Sequence, residues 1–476
     1  MNNRWVIGLL SCILIIILVN ASMAGSVYHA DESVDEQKQL LIITPALFEQ
    51  AVQPLVNHKE SHGINTELVT LETIVGHPQT TQGRDDAEQM KYYIKYAIEE
   101  QDVSYVLLIG GRQGQTGKWH LPVRYVAMDN GWEPQYVSDL YFSDIYDASG
   151  GFSSWDSNHN GIYGEWNEGS LPEDVDIDLY PDVALGRLPC RNVGEVKTVV
   201  AKIILYETQT RTHPRFNTML TIAGDTYLES SNPLWVGYEG EEFAEEAIGI
   251  MSAFSPTRMY LSEEGFSGPE DVIAEFNKGF GFVYFVGHGS PKSWGTHKPN
   301  DHAFVDGLNV QDMKQLSNEE LYPICVVSGC HNCQFDVGLI NLLYGFKNHG
   351  LSFLTDKLIF RYEWIPEGWA WLMTNNPNGG SIVTYGTSAL GHTREDKTSF
   401  TGGINEFEIQ MFKEYGTNGV ETTGDILKNT MQWYLDSYPV EWDENDDVLL
   451  LDQWVDVQVI QSYMLMGDPS LVIGGY

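Results

Sequence analysis

The sequence predicts an α/β fold, a largely parallel sheet flanked by helices. Short, continuous apolar runs recur along the chain, and stretches with helical spacing separate them. In addition, two of those runs end in a glycine-flanked reactive residue, as expected where the carboxyl ends of strands form a ligand crevice.

In chain order, Leu40 to Thr44 reads as a buried strand, followed by a helix leading to His62-Gly63 and a strand around Glu67 to Val69. Helical spacing covers Asp85 to Glu100, and Val103 to Gly110 is a further buried strand ending in glycines. Residues 111–180 are rich in Gly, Asp, Asn, Trp and Tyr and read as long loops. Order returns with Asp182 to Arg187 and a helix over Val193 to Thr208, and His213-Pro214 marks a boundary. The second half repeats the pattern with strand 218–223, helix 239–251, strand 257–261 and helix 269–277. Strands at Phe282 to Val286, Ile324 to Val327 and Ser381 to Tyr385 follow, then helices over 403–415 and 424–437. A chain of 476 residues suits either two packed subdomains or one large α/β unit, divided as 39–213 and 214–476.

The N-terminus reads as a targeting segment. Arg4 is basic, Trp5 to Val19 is almost unbroken apolar sequence, and Ser22-Met23-Ala24 offers small residues for cleavage. The apolar run is shorter than the roughly 18 residues of a spanning helix. Residues 1–24 are therefore expected to be a signal peptide and 25–38 a linker or short pro-segment, which makes the protein secreted. An uncleaved membrane anchor is the alternative. With 27 basic against 66 acidic residues, a net charge of -39, the surface repels phosphate backbones and excludes nucleic acid as a partner. Oligomeric state is not legible.

Three of the four cysteines beyond residue 24 (Cys325, Cys330 and Cys333, against Cys190) crowd together, which suggests a site rather than a scaffold of disulfides. His288 lies just past one apolar strand, between Gly287 and Gly289. Cys330 lies just past another, after Ser328-Gly329. If the two strands are neighbours, the imidazole can take the thiol proton and the thiolate can attack a carbonyl carbon. The glycines admit a substrate backbone and free N–H groups, such as that of Gly289, to stabilise an oxyanion. The competing readings are a buried core His and Cys, a metal site from Cys325, Cys330, His331 and Cys333, and a Cys330–Cys333 redox pair. Separately, Asp156-Ser157-Asn158-His159-Asn160-Gly161-Ile162 opens like a calcium loop, and Glu165 follows two positions earlier than in an EF-hand. The expected structural Ca2+ ligands are Asp156, Asn158, Asn160, Ile162 through its carbonyl, and Glu165. A polar turn is the alternative.

Tyr284-Phe285-Val286-Gly287-His288-Gly289-Ser290, Ser293-Trp294-Gly295-Thr296, Met313 to Asn318, Pro323 to Cys330 and Gly467-Asp468-Pro469-Ser470-Leu471-Val472 together resemble the gingipain-type cysteine peptidases, in the clan that also holds caspases and legumains. The resemblance implies a caspase-like α/β fold in two subdomains, with His288 as general base and acid and Cys330 as nucleophile. It implies an oxyanion hole from the N–H groups of Gly289 and Cys330. It places an acidic residue near the histidine, where Asp225 stands and where the family's Glu position holds Thr226. Glu241 and Trp294 become the expected substrate contacts, Glu241 as the pocket acid selecting Arg or Lys at P1. The insertion from Lys298 to Asp306 should alter the site rim. The expected function is a secreted cysteine endopeptidase acting on protein or peptide substrates through a thioester, with no cofactor in the chemistry. A transpeptidase and an inactive calcium-stabilised binding protein on the same fold are the alternatives.

Overall fold

The computed structural model describes residues 39–175, 177–227, 237–301, 303–318, 321–354, 363–394, 401–442 and 447–476. The expected signal peptide (1–24) and linker (25–38) lie outside the described residues.

The principal strands are β1 (Gln39–Thr44), β2 (Asn65–Thr70), β3 (Val103–Ile109), β4 (Ala184–Leu188), β5 (Thr218–Ala223), β6 (Ser255–Tyr260) and β7 (Phe282–Val286). They continue with β8 (His288–Ser290), β9 (Ser293–Thr296), β10 (Val305–Asn309), β11 (Ile324–Ser328), β12 (Val383–Thr387) and β13 (Tyr463–Met466). Ten of them form one sheet in the order β6-β5-β7-β11-β12-β13-β4-β3-β1-β2. Every neighbouring pair is parallel except β12 with β13. All residues of β7, β11 and β12 are buried, so their apolar runs need cover on both faces. The sheet accounts for the expected fold class.

Residues 39–213 supply four adjacent strands and residues 214–476 the other six. The halves meet where β13 runs beside β4, with Met466 opposite Arg187. Residues 38–476 form one compact unit. The expected boundary at 213/214 is thus a change-over between two halves of a continuous sheet, not a gap between separately packed subdomains.

Helix starts were legible where side chains cap them. Asp85 accepts the Glu88 N–H at 2.8 Å while the Glu88 carboxylate accepts the Arg84 N–H, launching α1 (Asp86–Gln101). Asn192 and Glu195 repeat the device at α2 (Val193–Gln209). The sequence reading did not include α3 (Asp447–Ser462), whose apolar residues fall on every side and leave no amphipathic stripe. It also missed the antiparallel hairpin β8–β9–β10 that follows β7.

Candidate active site

Strands β7 and β11 are direct neighbours, with Val286 opposite Ser328. His288 and Cys330 each lie two residues beyond that last pair, so equal lengths of chain carry them to the same end of the sheet. Gly287 bridges the strands by donating its N–H to the Ser328 carbonyl at 3.2 Å.

Cys330 is partly exposed, whereas Cys190, Cys325 and Cys333 are buried; all four are free thiols. Among the described residues, no three His, Cys, Asp or Glu side chains converge as a metal site. The Cys330 sulfur accepts the Gly391 N–H at 3.3 Å, and Gly391 sits in the loop after β12, the next strand of the crevice. His331, directly after Cys330, adopts φ 59°, a left-handed conformation uncommon for a non-glycine residue. Such strain at a turn is tolerated only where surrounding structure fixes it.

Burial pushes the Cys330 thiol above its ordinary value, a rise that the Gly391 N–H opposes and the Glu133 carboxylate increases. Burial also pulls the His288 imidazole down to about 4, helped by His297 and opposed by a hydrogen bond to the Thr226 backbone carbonyl. The resting side chains are therefore a neutral thiol and a neutral imidazole at one end of the sheet, the imidazole unprotonated and available as a base at neutral pH. The acid limb of kcat/KM should accordingly lie near pH 4. A titration from pH 8 to 4 with a short peptide substrate checks this, and a limb at 6 to 7 would show a more solvated histidine.

The glycines around the dyad are required by close approach. A Cβ at Gly329 would stand 2.8 Å from the Gly289 nitrogen, and one at Gly289 would stand 2.6 Å from the Cys330 carbonyl oxygen. The Gly289 backbone thus reaches the turn carrying Cys330, where its N–H and that of Cys330 are the candidate oxyanion donors.

The acidic partner differs from expectation. Asp225 is fully buried, and its Oδ2 lies 3.4 Å from Nδ1 of His297, not against His288. His297 stands between them, its ring stacked on His288 with centroids 5.5 Å apart. Glu239, which the sequence reading passed over, packs beside Asp225. Burial and the Asp225 carboxylate raise its carboxyl to about 8, so one proton is retained by the pair at neutral pH.

Two further assignments are corrected. Glu241 is 8% exposed and its carboxylate accepts the Ser262 N–H at 2.9 Å and the Ser262 hydroxyl, so it caps the turn after β6 instead of lining a pocket. Trp294 is fully buried, packs on Phe285 and donates Nε1–H to the Ser328 carbonyl at 3.1 Å, which leaves no surface for substrate. The expected calcium loop bonds largely within itself. Asp156 accepts the Asn160 and Gly161 N–H groups at 3.0 and 3.1 Å, but Arg84 pairs with the same carboxylate. Asn158 accepts the Asn160 N–H, Asn160 donates its side-chain amide to Glu165, and Ile162 donates its own N–H to the Asn160 side chain. A guanidinium thus already supplies positive charge at this loop. Thermal unfolding should therefore shift by no more than about 2 °C between EDTA and millimolar calcium, whereas a tight, specific site would shift it by several degrees.

Beyond Thr296, Phe304, 56% exposed, meets the His288 ring edge-on at 5.1 Å. A cavity of about 280 Å3 is lined by Glu133, Asp336, Arg112, Tyr125, Gln334 and Ser388, among others. Glu133 accepts the N–H of Leu390, the residue before Gly391, at 3.0 Å, which joins this cavity to the nucleophile.

The model of peptidase family C25 matches residues 33–474. Gingipain R2 of Porphyromonas gingivalis (strain ATCC BAA-308 / W83) is 23% identical over 443 residues, which cover 92% of this chain and 46% of the relative. Gingipain R1 of Porphyromonas gingivalis is 24% identical over 446 residues, covering 92% and 34%. The chain thus spans less than half the length of these curated relatives. Among solved structures, the Arg-specific cysteine proteinase gingipain R (RGPB) is similar in fold, with a TM-score of 0.61 over 92% of this chain and 79% of that one at 17% identity.

Proposed function

The chain belongs to peptidase family C25, and from that premise we propose that it is an exported cysteine endopeptidase with Cys330 as nucleophile and His288 as proton carrier. One observation carries the assignment of roles: the matched register of β7 and β11, which delivers both residues equally far past Val286 and Ser328.

The chemistry follows from that placement. His288 takes the Cys330 proton, and the thiolate adds to the scissile carbonyl carbon to give a tetrahedral oxyanion facing the Gly289 and Cys330 N–H groups. The imidazolium returns the proton to the departing amine, the C–N bond breaks, and a thioester remains on Cys330. His288 then deprotonates a water that attacks the thioester. Collapse releases the carboxylic acid product and restores the thiol. The fixed negative charge of the Asp225–Glu239 pair lies beyond His297 and favours the imidazolium form in each step.

We further propose that the enzyme cleaves after Arg or Lys. Glu241 does not support this preference, because Ser262 occupies it. The supporting feature is the excess of carboxylate over guanidinium in the cavity lined by Glu133, Asp336 and Arg112, although Asp336 already accepts from Tyr125 and Gln334. A panel of peptides varied only at P1 tests it. Arg and Lys should exceed neutral residues by at least about tenfold in kcat/KM, roughly 1.4 kcal/mol of transition-state binding. Equal rates across the panel would discard the basic preference and keep the peptidase.

A further inference from the structure

The dyad sits on two separate pieces of chain, the β8–β9 hairpin and the turn after β11, and proton transfer needs them fixed relative to one another. We propose that Asn332 is the positioning residue that locks these two pieces together. The inference rests on the peptidase reading above.

Asn332 is fully buried two residues past the nucleophile. The left-handed His331 reverses the chain, so the Asn332 side chain points back beneath the hairpin. Its Nδ2 donates to the carbonyl of Ser290 at 3.1 Å and to that of Ser293 at 3.2 Å, the two residues that close the hairpin bearing His288. Two carbonyls demand two N–H donors, which fixes the amide orientation. Its Oδ1 then has no hydrogen-bond partner. That oxygen is pressed between the two site glycines: a Cβ at Gly289 would stand 1.9 Å from it, and one at Gly329 2.5 Å. Leaving a buried oxygen unpaired is costly and rare, and such exceptions concentrate where function over-determines the structure.

The backbone extends the same tie. Ala370 donates its N–H to the Asn332 carbonyl at 3.0 Å, and the preceding Trp369 donates to the Pro291 carbonyl at the hairpin tip at 2.8 Å. A single helix start, that of α4 (Trp369–Thr374), therefore holds both the nucleophile turn and the hairpin. The register of β7 and β11 aligns the strands up to Val286 and Ser328, and Asn332 aligns what lies beyond them.

The test compares Asn332→Ala and the isosteric Asn332→Asp with a control, Asn376→Ala, which removes another buried amide, one that donates to the Met313 and Leu316 carbonyls. Asn332→Asp keeps the shape but sets oxygens against both hairpin carbonyls. The expected result is a fall in kcat of about 100-fold for both Asn332 variants with KM within about twofold, the cost of misplacing reacting groups by an ångström or so. The control should lose comparable thermal stability and keep kcat within about threefold. A second readout needs no turnover: the rate of Cys330 alkylation by iodoacetamide against pH. The wild-type profile should carry the His288 inflection near pH 4, and both variants should lose it. Asn332 variants that melt lower but retain both kcat and the inflection would overturn the proposal. A wild type without turnover on any peptide would instead defeat the peptidase reading, and the alkylation profile would still decide the role of Asn332.

Discussion

Replacing His288 with alanine should lower kcat/KM by about 10³-fold or more, with little change in thermal stability at neutral pH. The size follows from the protonation state of the pair. With its thiol held above the ordinary value by burial, Cys330 carries little thiolate at pH 7 and depends on an acceptor to become nucleophilic. Removing a positioned general base alone costs about 10²–10⁴-fold, and the same residue also delivers the proton to the leaving amine. The mild effect on stability follows from the neutral, depressed imidazole, which carries no charge at pH 7 to be lost. Acidification separates wild type from variant. Between the ordinary histidine value of 6.5 and about 4, the unfolded chain binds a proton that folded His288 refuses, so this residue's contribution falls as pH drops through that window. The variant should therefore lose less stability than wild type between pH 6.5 and 4. Melting curves at both pH values check it; an equal loss would place His288 in a solvated position.

The largest effect on folding is expected at Lys59. Its ammonium is fully buried, 2.7 Å from Glu207 and 2.8 Å from Asp468, and His58 meets Glu207 from the other side at 2.9 Å. Burial acts against the charged form, but Asp468 and Glu207 outweigh it and hold the lysine above its ordinary value. The ion pair ties three distant stretches: the helix Glu49–Ser61, α2 through Glu207, and the turn Gly467–Ser470 that follows β13. Lys59→Met leaves two buried carboxylates with one histidine between them and should cost about 3–5 kcal/mol in denaturant unfolding. The double variant Lys59→Met/Asp468→Asn should recover part of that loss. Glu207 is held below its ordinary value of 4.5 chiefly by Lys59 against the opposing effect of burial. Its share of the stability is present above pH 4.5 and is lost as acid protonates it. A cost for Lys59→Met below about 1 kcal/mol would mean that the pair is replaceable by apolar packing.

The parallel half-sheets and the candidate residues His288 and Cys330 were legible because both depend on local pattern. Phe282 to Val286 and Ile324 to Val327 are uninterrupted apolar strands, and each hands the chain to glycine and one reactive side chain. Errors arose where a residue's partner is remote or where direction within an element matters. Glu239 and Glu241 both read as first-turn helix acids, but residues two apart on a helix point roughly 200° apart. Glu239 therefore faces Asp225, and Glu241 faces Ser262. The Asp156 loop has the ligand pattern of a calcium site, and nothing within it announces Arg84, far upstream in the chain. Trp294 and His297 lie close together on and just past one strand, yet Trp294 turns into the core while His297 stacks on the dyad. The role of Gly391 had a signal: β12 is a third apolar strand of the crevice, and the loop at its carboxyl end belongs to the site by the same rule that located His288 and Cys330.

The most direct measurement of the central claim is covalent capture of the nucleophile. Purified protein, freed of any N-terminal segment that blocks the cleft, is treated with peptide acyloxymethyl ketones carrying P1 Arg, Lys or a neutral residue, and the adduct is located by peptide mass spectrometry. A stoichiometric adduct on Cys330, absent from Cys330→Ala and strongly slowed in His288→Ala, is the predicted result. An adduct on Cys190, Cys325 or Cys333 instead, or none with any P1 residue, would contradict the assignment of Cys330 and His288 as the catalytic pair.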